Sequence, residues 1–509
     1  LRVWRKKKAA ESLIAMTAIP PPLLKGFAAI RVLVVGDVML DRFVHGRSDR
    51  MSPEAPVPVL TAGHEDLMAG GAGNVARNIA SLGGLAHVIG AIGNDQAGIA
   101  LRGILTDASS IGASGTGASG ISAELIAIEG RPTTQKTRFI ADRQQLLRVD
   151  EENTGAINDP AIAKAVAARL DWADIIILSD YAKGFLTPAT LKDIITRARA
   201  AGKRVIVDPK SADMERYDGA FLLTPNRAEA ALASGVAGED DDNTAKAAAV
   251  LLKSAPGIEA VLVTRGARGM TLAARGKTAA HFPTSAREVF DVSGAGDTVV
   301  ATLALALGAG CSLHEAVSAA NHAAGLAVAK AGTAVVSFSE LIGALEEDNV
   351  RGVSAKIVTV QQASEQAAKW RAKGQRIGFT NGCFDLIHPG HVFLLAQARA
   401  ACQHLIVGIN TDASVRRLKG PERPLQTETS RALVMAAMQP VDLVVLFDED
   451  TPMELIRAIR PDVIVKGADY RAEQVVGADF VKSYGGEVVL ARLVDGESTS
   501  RTMSKMGVR

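Results

Sequence analysis

Short apolar runs, each bounded by glycine, proline or charged residues, recur along this chain and set its architecture. The first is Arg31-Val-Leu-Val-Val35, which ends in Gly36-Asp37. Others follow at Ile175–Leu178, Arg204–Val207, Phe221–Leu223 and Val261–Val263. Continuous runs of this length are the pattern of strands buried on both faces. Helical patterns lie between them, among them Asp159–Leu170 and Thr190–Ala201. Strands alternating with helices imply right-handed crossovers and a parallel sheet covered on both sides, a doubly wound α/β fold. Three runs are more polar and lie outside the alternation: Val57–Leu60, Glu124–Ile128 and Gln135–Ile140. They predict a small accessory sheet able to act as a lid over a site. Residues 109–120, rich in Gly and Ser, are expected to be a flexible loop.

The alternation stops after Gly332. Residues 346–374 are polar and helix-prone, the pattern of a linker plus a leading helix. A second series then starts: Arg376–Phe379, Leu405–Ile409, Leu443–Phe447, Val463–Val465 and Val488–Leu490. A stretch of about 135 residues suits one Rossmann-like nucleotide-binding domain. The expected organisation is an N-terminal arm over 1–28, a first domain over 29–345, a linker over 346–374 and a second domain over 375–509. No internal repeat links the halves.

Composition narrows this picture. A chain of 509 residues is too long for one core. With 48% hydrophobic residues but only 4% aromatic, it fits α/β layering better than a β-sandwich. A net charge of +2 gives no electrostatic case for nucleic acid. Cys311, Cys383 and Cys402 make no disulfide framework and no zinc spacing, which points to a reducing cytoplasm. No run reaches the roughly 18 apolar residues of a membrane span. The basic start Leu1–Lys8 is followed by Glu11 and Pro20-Pro21-Pro22, with no apolar core or cleavage site. It is expected to be a disordered or extended arm rather than a signal peptide.

Two segments carry chemistry. In Asp291-Val-Ser-Gly-Ala-Gly-Asp297, Gly294, Ala295 and Gly296 directly precede an apolar helix. Small residues let backbone approach a ligand, and the free amides of a helix start point at anions. Such a cradle suits a γ-phosphoryl group in flight, and Asp297 is placed to accept the proton of an attacking hydroxyl. In Asn381-Gly-Cys-Phe-Asp-Leu-Ile-His388-Pro-Gly-His391, two histidines flank a Pro-Gly turn that opens a helix. Both rings can then face one anion, and imidazole N–H groups would stabilise the charge of a pentacoordinate phosphorus. The pair could also ligate zinc, but no third or fourth ligand is evident.

Over roughly residues 30–340 the chain resembles the ribokinase-like sugar kinases. Gly36-Asp37-Val-Met-Leu-Asp41 and Gly70-Gly71-Ala-Gly-Asn74 match that family's sugar-binding motifs, which implies substrate contacts at Asp37, Asp41, Gly70, Gly71 and Asn74. Asn226-Arg227-Ala228-Glu229 matches the segment that organises Mg²⁺ and ATP phosphates, with Asn226 and Glu229 toward the metal. Thr264 and Gly266 match the turn beside the nucleotide. Ser293 stands where Thr is commoner. The segments Arg50–Val59, Gln144–Asp150 and Ser179–Gly184 are similar to the heptose 7-phosphate kinases of the family. A phosphorylated sugar needs a second anion site, for which Lys136, Arg138 and Lys183 are candidates.

Residues 375–509 resemble the His-x-Gly-His cytidylyltransferase-like family. The resemblance implies ATP contacts from Phe379, Asn381, Gly382, Cys383 and Phe384, with Lys419 and a catalytic Lys466 countering phosphate charge. Ser498, Thr499 and Ser500 would hold the triphosphate, and Arg431 is a weaker candidate. ATP versus CTP stays open. The fusion as a whole is similar to the bifunctional heptose 7-phosphate kinase/heptose 1-phosphate adenylyltransferases. That implies ATP and Mg²⁺ as cofactors, heptose phosphates as substrates, a separate heptose bisphosphate phosphatase between the two steps, and a homodimer.

Overall fold

The computed structural model describes residues 19–106, 120–141, 144–285, 290, 292–330, 334–467 and 471–491. Residues 109–119 of the expected loop, Asp291 and Ser498–Ser500 lie outside them. The chain divides into two compact units, Ile19–Leu345 and the residues from Glu346 onward.

In the first unit, strands β1 (Arg31–Gly36), β4 (Leu85–Ile92), β5 (Ile121–Ala127), β8 (Ile175–Ser179), β9 (Arg204–Asp208), β10 (Leu222–Leu223), β11 (Ala260–Thr264), β12 (Met270–Ala274) and β13 (Ala280–Phe282) form one sheet. The order is β13-β12-β11-β10-β9-β8-β1-β4-β5. All neighbours from β5 to β11 are parallel, and β12 and β13 turn back antiparallel. Alternate residues of β1 face opposite sides. Val32 and Val34 enter one core with helices Ala72–Ser81 and Ala295–Gly308; Leu33 and Val35 enter the other with helix Pro188–Ala200. Helix Ala295–Gly308 is buried on every side from Asp297 to Leu307, so its apolar residues run without a polar stripe. Truncating a side chain such as Leu303 to Ala costs about 2–5 kcal/mol. The helix starts are written locally. Asp159 caps helix Pro160–Arg169, and Thr187 caps Pro188–Ala200, each with proline in the first turn.

The lid is a four-stranded sheet of β3 (Pro58–Gly71), β2 (Val38–Met51), β6 (Gln135–Ala141) and β7 (Gln144–Glu151), in that order. One expected lid strand is not in it. Glu124–Ile128 falls largely in β5, the parallel edge of the main sheet. An edge strand covered on one face alternates polar and apolar residues as a lid strand does, so periodicity could not separate them. The N-terminal arm also differs from expectation. Helix Pro21–Leu24 forms within 19–28, Leu23 and Phe27 are buried, and the Phe27 ring meets Phe338 edge-on at 5.4 Å.

The second unit has one parallel sheet of β14 (Ile357–Val358), β15 (Ile377–Gly382), β16 (His404–Asn410), β17 (Leu443–Phe447), β18 (Val463–Gly467) and β19 (Glu487–Ala491). The order is β14-β17-β16-β15-β18-β19. The expected linker is more structured than its polarity suggests. It contains the end of helix Phe338–Ala355, the strand β14, and helix Val360–Ala372 with a Thr359/Gln362 capping box. The buried face of that last helix is built from small residues, Ala363 and Ala367, which an apolar-run reading passes over.

Strand order places each site. In the first sheet the chain leaves β1 toward β4 and later returns to its other side as β8. In the second it leaves β15 toward β16 and returns as β18. Ligand crevices form at the carboxyl ends of strands at such switch points. These ends carry Asp37 and Tyr181 in one unit, and Asn381 and Lys466 in the other.

Candidate active sites

In the first unit the two switch-point strands are tied by Asp37. Its carboxylate accepts N–H groups of Tyr181 at 2.8 Å, Lys183 at 3.0 Å and Phe185 at 3.2 Å. Asp37 therefore shapes the turn after β8, and both its oxygens are engaged within the protein. Gly70 and Gly71 let the end of β3 pass close by. A Cβ on Gly70 would lie 2.1 Å from Asp41 Oδ2, and one on Gly71, whose φ is 57°, would lie 2.4 Å from the Asp37 carbonyl.

That turn aims Tyr181 at Asp297. Tyr181 Oη donates to Asp297 Oδ1 at 2.8 Å, and Asn74 Nδ2 donates to Oδ2 at 2.6 Å. Gly294 precedes the helix in the left-handed region, with φ 79°, and Asp297 sits in its first turn. Burial drives the Asp297 carboxyl up to about 6, against the two hydrogen bonds that favour its charged form. A carboxylate so poised is a working base near neutral pH. Burial and the Asp297 charge raise the Tyr181 phenol well above its ordinary value, so it stays a donor.

Asp41, Lys136 and Arg138 gather on adjacent lid strands. Arg138 Nη1 pairs with Asp41 Oδ1 at 2.6 Å, and Lys136 Nζ lies 5.6 Å from the centre of the Tyr181 ring. Burial lowers the Lys136 ammonium, with Asp41 opposing. Lys183, the third expected anion contact, pairs its Nζ with Glu152 at 2.5 Å. Arg77 was not singled out from sequence. Its guanidinium is largely buried, Nη1 lies 3.4 Å from Asn74 Oδ1, and Asp41 acts on its charge.

Beyond Asp297, a cavity is lined by Asp208, Lys210, Asn226, Glu229, Thr264 and Gly296. Asn226 and Glu229 cap helix Arg227–Ser234 reciprocally. Asn226 Oδ1 accepts the Glu229 N–H at 3.0 Å, and Glu229 Oε2 accepts the Asn226 N–H at 2.9 Å. Glu229 Oε1 is 2.9 Å from Lys210 Nζ. Arg227 and Ala228 form the first turn of this helix, and Gly266 opens the turn after β11 with φ 58°. Asp208 is another residue that sequence reasoning missed. Burial, then the charges of Asp297 and Glu229, raise its carboxyl well above the ordinary range. The available signal was an acid at the carboxyl end of the strand Arg204–Val207.

In the second unit, His388 is the N-cap of helix Pro389–Ala400 and His391 its third residue. The ring centroids are 3.9 Å apart. The His388 backbone N–H donates to His391 Nδ1 at 3.4 Å. Nδ1 as acceptor puts the proton of a neutral imidazole on Nε2. Burial, then His388 and Lys419, depress His391 to about 4, so it is neutral at physiological pH. Lys466 Nζ donates to the Asn381 carbonyl at 2.8 Å, which binds the end of β18 to the end of β15. Asn381 Oδ1 is buried without a hydrogen-bond partner. Phe379 is fully buried under this strand end; Gly382 passes against the ring of Phe384, which has φ 47°. Cys383 Sγ lies 3.9 Å from Asn410 Oδ1, and Lys419 ends helix Asp412–Lys419.

Arg431 departs from the expected phosphate contact. It is buried, and it donates to the Gln426 carbonyl at 3.1 Å, the Cys383 carbonyl at 2.6 Å and Asp412 Oδ1 at 2.7 Å. It is a strut beneath the loop. Asp385 acts likewise, holding Arg423 Nε at 2.6 Å and the N–H groups of Leu425 and Gln426. Among the described residues, no metal-ligating cluster includes His388 or His391.

Two doubly wound units, one with a buried carboxylate and one with paired imidazoles at a helix start, define a sugar kinase joined to a nucleotidyltransferase. Residues 29–339 match the pfkB family carbohydrate kinases, and residues 379–492 match the Cytidylyltransferase-like family. The chain belongs to the family of bifunctional proteins HldE. It is 55% identical over 484 residues to the bifunctional protein HldE of Caulobacter sp. (strain K31), covering 95% of this chain and 97% of that one. It is 51% identical to that of Paramagnetospirillum magneticum over 479 residues, covering 93% and 96%. The first unit is also similar in structure to Arabidopsis thaliana ribokinase complexed with ribose and ATP. The TM-score is 0.51 and the identity 22%, over 62% of this chain and 99% of that one. Escherichia coli phosphofructokinase-2 in complex with substrates and products gives 0.52 and 22%, over 62% and 98%. At these identities the likeness shows the fold. The chain is a bifunctional transferase that uses ATP and sugar phosphates. No described helix is long and apolar enough to cross a membrane.

Proposed function

We propose that the first unit transfers the γ-phosphoryl group of ATP to the C1 hydroxyl of D-glycero-β-D-manno-heptose 7-phosphate. The second unit joins D-glycero-β-D-manno-heptose 1-phosphate to the AMP moiety of ATP and releases pyrophosphate. The product is ADP-heptose, a precursor of the lipopolysaccharide inner core. The observation that carries this reading is the pairing of sites in one chain of this family: Asp297 under Tyr181 and Asn74, and His388–His391 beside Lys466.

In the kinase step Asp297 takes the proton of the C1 hydroxyl while the amides of Ala295 and Gly296 face the transferring phosphoryl group. Tyr181 and Asn74 hold the carboxylate in line. Asp41 and Asn74 contact sugar hydroxyls, and Lys136, Arg138 and Arg77 supply positive charge for the 7-phosphate. Asp208, whose carboxyl is raised by burial and by the charges of Asp297 and Glu229, and Glu229 beside it fit a hard divalent cation with oxygen ligands. Mg²⁺ bound there with the ATP phosphates would neutralise charge between β- and γ-oxygens.

In the adenylyl step the nucleophile is a phosphate oxygen, already anionic. It attacks the α-phosphorus, the bond to the β-phosphate breaks, and pyrophosphate leaves. His391 Nε2–H and His388 donate to the equatorial oxygens, and Lys419 and Lys466 counter the leaving charge. By the family resemblance the triphosphate would also be bound by Ser498, Thr499 and Ser500, which lie outside the described residues. A separate phosphatase removes the 7-phosphate between the two steps. The protein acts in the cytoplasm as a homodimer.

The test offers purified protein synthetic heptose 7-phosphate and heptose 1-phosphate, each with ATP or CTP, and follows products by HPLC. Heptose 1,7-bisphosphate and ADP-heptose, both from ATP, are expected. Preference for CTP, or for a hexose phosphate over the heptose, overturns the substrate assignment.

A further inference from the structure

The lid carries a cluster that neither reaction uses. β2 and β3 pair antiparallel with His45 opposite His64 and Phe43 opposite Asp66. His45 and Phe43 share one face of β2, and His64 and Asp66 share the facing side of β3, because strand side chains alternate with period two. A register shift follows His45 and twists the ribbon there. The result is two imidazoles stacked at 4.5 Å with 4° between their planes, each with its Nε2 near one carboxylate oxygen. His45 Nε2 lies 3.2 Å from Asp66 Oδ2, and His64 Nε2 lies 3.7 Å from the same atom.

We propose that His45, His64 and Asp66 form a binding site for a divalent transition-metal ion of the Zn²⁺ type on the lid. The three donor atoms lie within 4.8 Å of one another, and this is the one such group among the described residues. Ligands held at about 2.0–2.1 Å from a tetrahedral ion stand about 3.3–3.4 Å apart. The two nitrogen–oxygen separations bracket that spacing. Two imidazoles and one carboxylate are a borderline-soft set that suits Zn²⁺, Co²⁺ or Ni²⁺ and not Mg²⁺. The side chains of His64 and Asp66 are 70% and 50% exposed, which leaves the outer coordination positions to water. The alternative is a plain surface pair, in which each ring turns an Nε2–H toward Asp66. It predicts no metal uptake.

The site has a position that matters. Asp41 lies four residues before His45 on β2, and Gly70 lies four residues after Asp66 on β3, about 13 Å along each strand. An ion bridging His45 and His64 ties together the two strands that carry these sugar-side residues. The reading does not rest on the identity of the sugar.

The experiment uses the full chain, freed of metal by dialysis against chelator, and ZnCl₂ alone as probe in calorimetric titration. CoCl₂ serves in parallel, followed by its visible d–d absorption. The wild type should take up one more equivalent of Zn²⁺ than His64→Ala or Asp66→Asn. Zn²⁺ should raise its melting temperature by several degrees while leaving the variants unmoved. Adenylyl transfer should be unchanged in both variants. These positions are exposed, so the substitutions themselves are expected to cost little stability. Equal stoichiometry in wild type and variants, or no uptake by the wild type at micromolar Zn²⁺, overturns the proposal.

Discussion

The two active sites use the same scaffold and opposite electrostatics. Each lies where the strand order of its sheet reverses, and each is built around the first turn of a helix. The kinase site then crowds carboxylates together. Asp37, Asp41, Asp208, Glu229 and Asp297 converge, and Asp208 and Asp297 both hold their protons more tightly than ordinary acids. Among the described residues, the nucleotidyltransferase site brings no such group of raised carboxyls together. Its helix start holds His388 and His391, and His391 is pushed toward neutrality. The nucleophiles account for the contrast. A sugar hydroxyl must lose a proton as it attacks, so the first site needs a base, the role proposed for Asp297. A phosphate arrives already ionised, so the second needs only donors.

The sharpest way to break that contrast is to remove the base. Asp297→Asn keeps the shape and the contact to Asn74 but cannot accept a proton. Sugar phosphorylation should fall by about 10²–10⁴-fold, with adenylyl transfer unchanged. Kinase turnover near the wild-type rate would remove Asp297 from the role of base.

His391→Ala should do the reverse, lowering adenylyl transfer by about 10²–10³-fold while the kinase persists. The pH profiles extend the same comparison. With Asp297 as the base in its carboxylate form, kinase kcat/KM should drop as pH falls through about 6. Protonation of His391 needs pH near 4, so it should add no acid limb to adenylyl transfer between pH 5 and 7. An adenylyl limb near pH 6 that vanishes in His391→Ala would contradict the neutral-imidazole assignment.

Tyr181→Phe sharpens the kinase side. The phenol donates to Asp297 and favours its charged form. Its loss raises the carboxyl further, so the acid limb should move upward by about one unit. At pH 6 the loss should be about fivefold, and near pH 8 it should be small. A uniform loss at all pH values would mean that Tyr181 positions substrate rather than tuning the base.

These residues also show where sequence reading reaches and where it stops. Gly294-Ala-Gly296-Asp297 and His388-Pro-Gly-His391 are legible because helix starts and turns are local, and a few neighbouring residues determine them. The parallel sheets follow from runs such as Val32–Val35 for the same reason. Tyr181 and Asp208 needed tertiary information: 116 residues separate Tyr181 from the carboxylate it serves. Arg431 shows the converse error. An arginine near a phosphate loop suggests an anion contact, yet its guanidinium is spent on two carbonyls and Asp412. Glu124–Ile128 failed because alternation reports one covered face and not which sheet provides it.

The smallest effect expected is from cutting the chain, and it asks whether the two chemistries are independent at all. Each unit has its own cores on both faces of its own sheet. Each also has enough residues to bury them. The cut must respect the structure. A kinase piece starting at residue 28 would lose Leu23 and Phe27, both buried against the core, and removing a buried aromatic side chain alone costs about 3–5 kcal/mol. Starting at Ile19 keeps them. Phe338, Leu341 and Leu345 pack with the kinase core, and Val353 and Ile357 pack with the second unit, so division after Leu345 separates the contacts although it opens helix Phe338–Ala355. Pieces 19–345 and 346–509 should each retain their own activity within about twofold of the whole chain, and the piece starting at residue 28 should melt well below the one starting at 19. Activity that returns only when the two pieces are mixed would show that one site borrows groups from the other unit, and the division of labour between carboxylate and imidazole would then belong to the assembled chain instead of to each half.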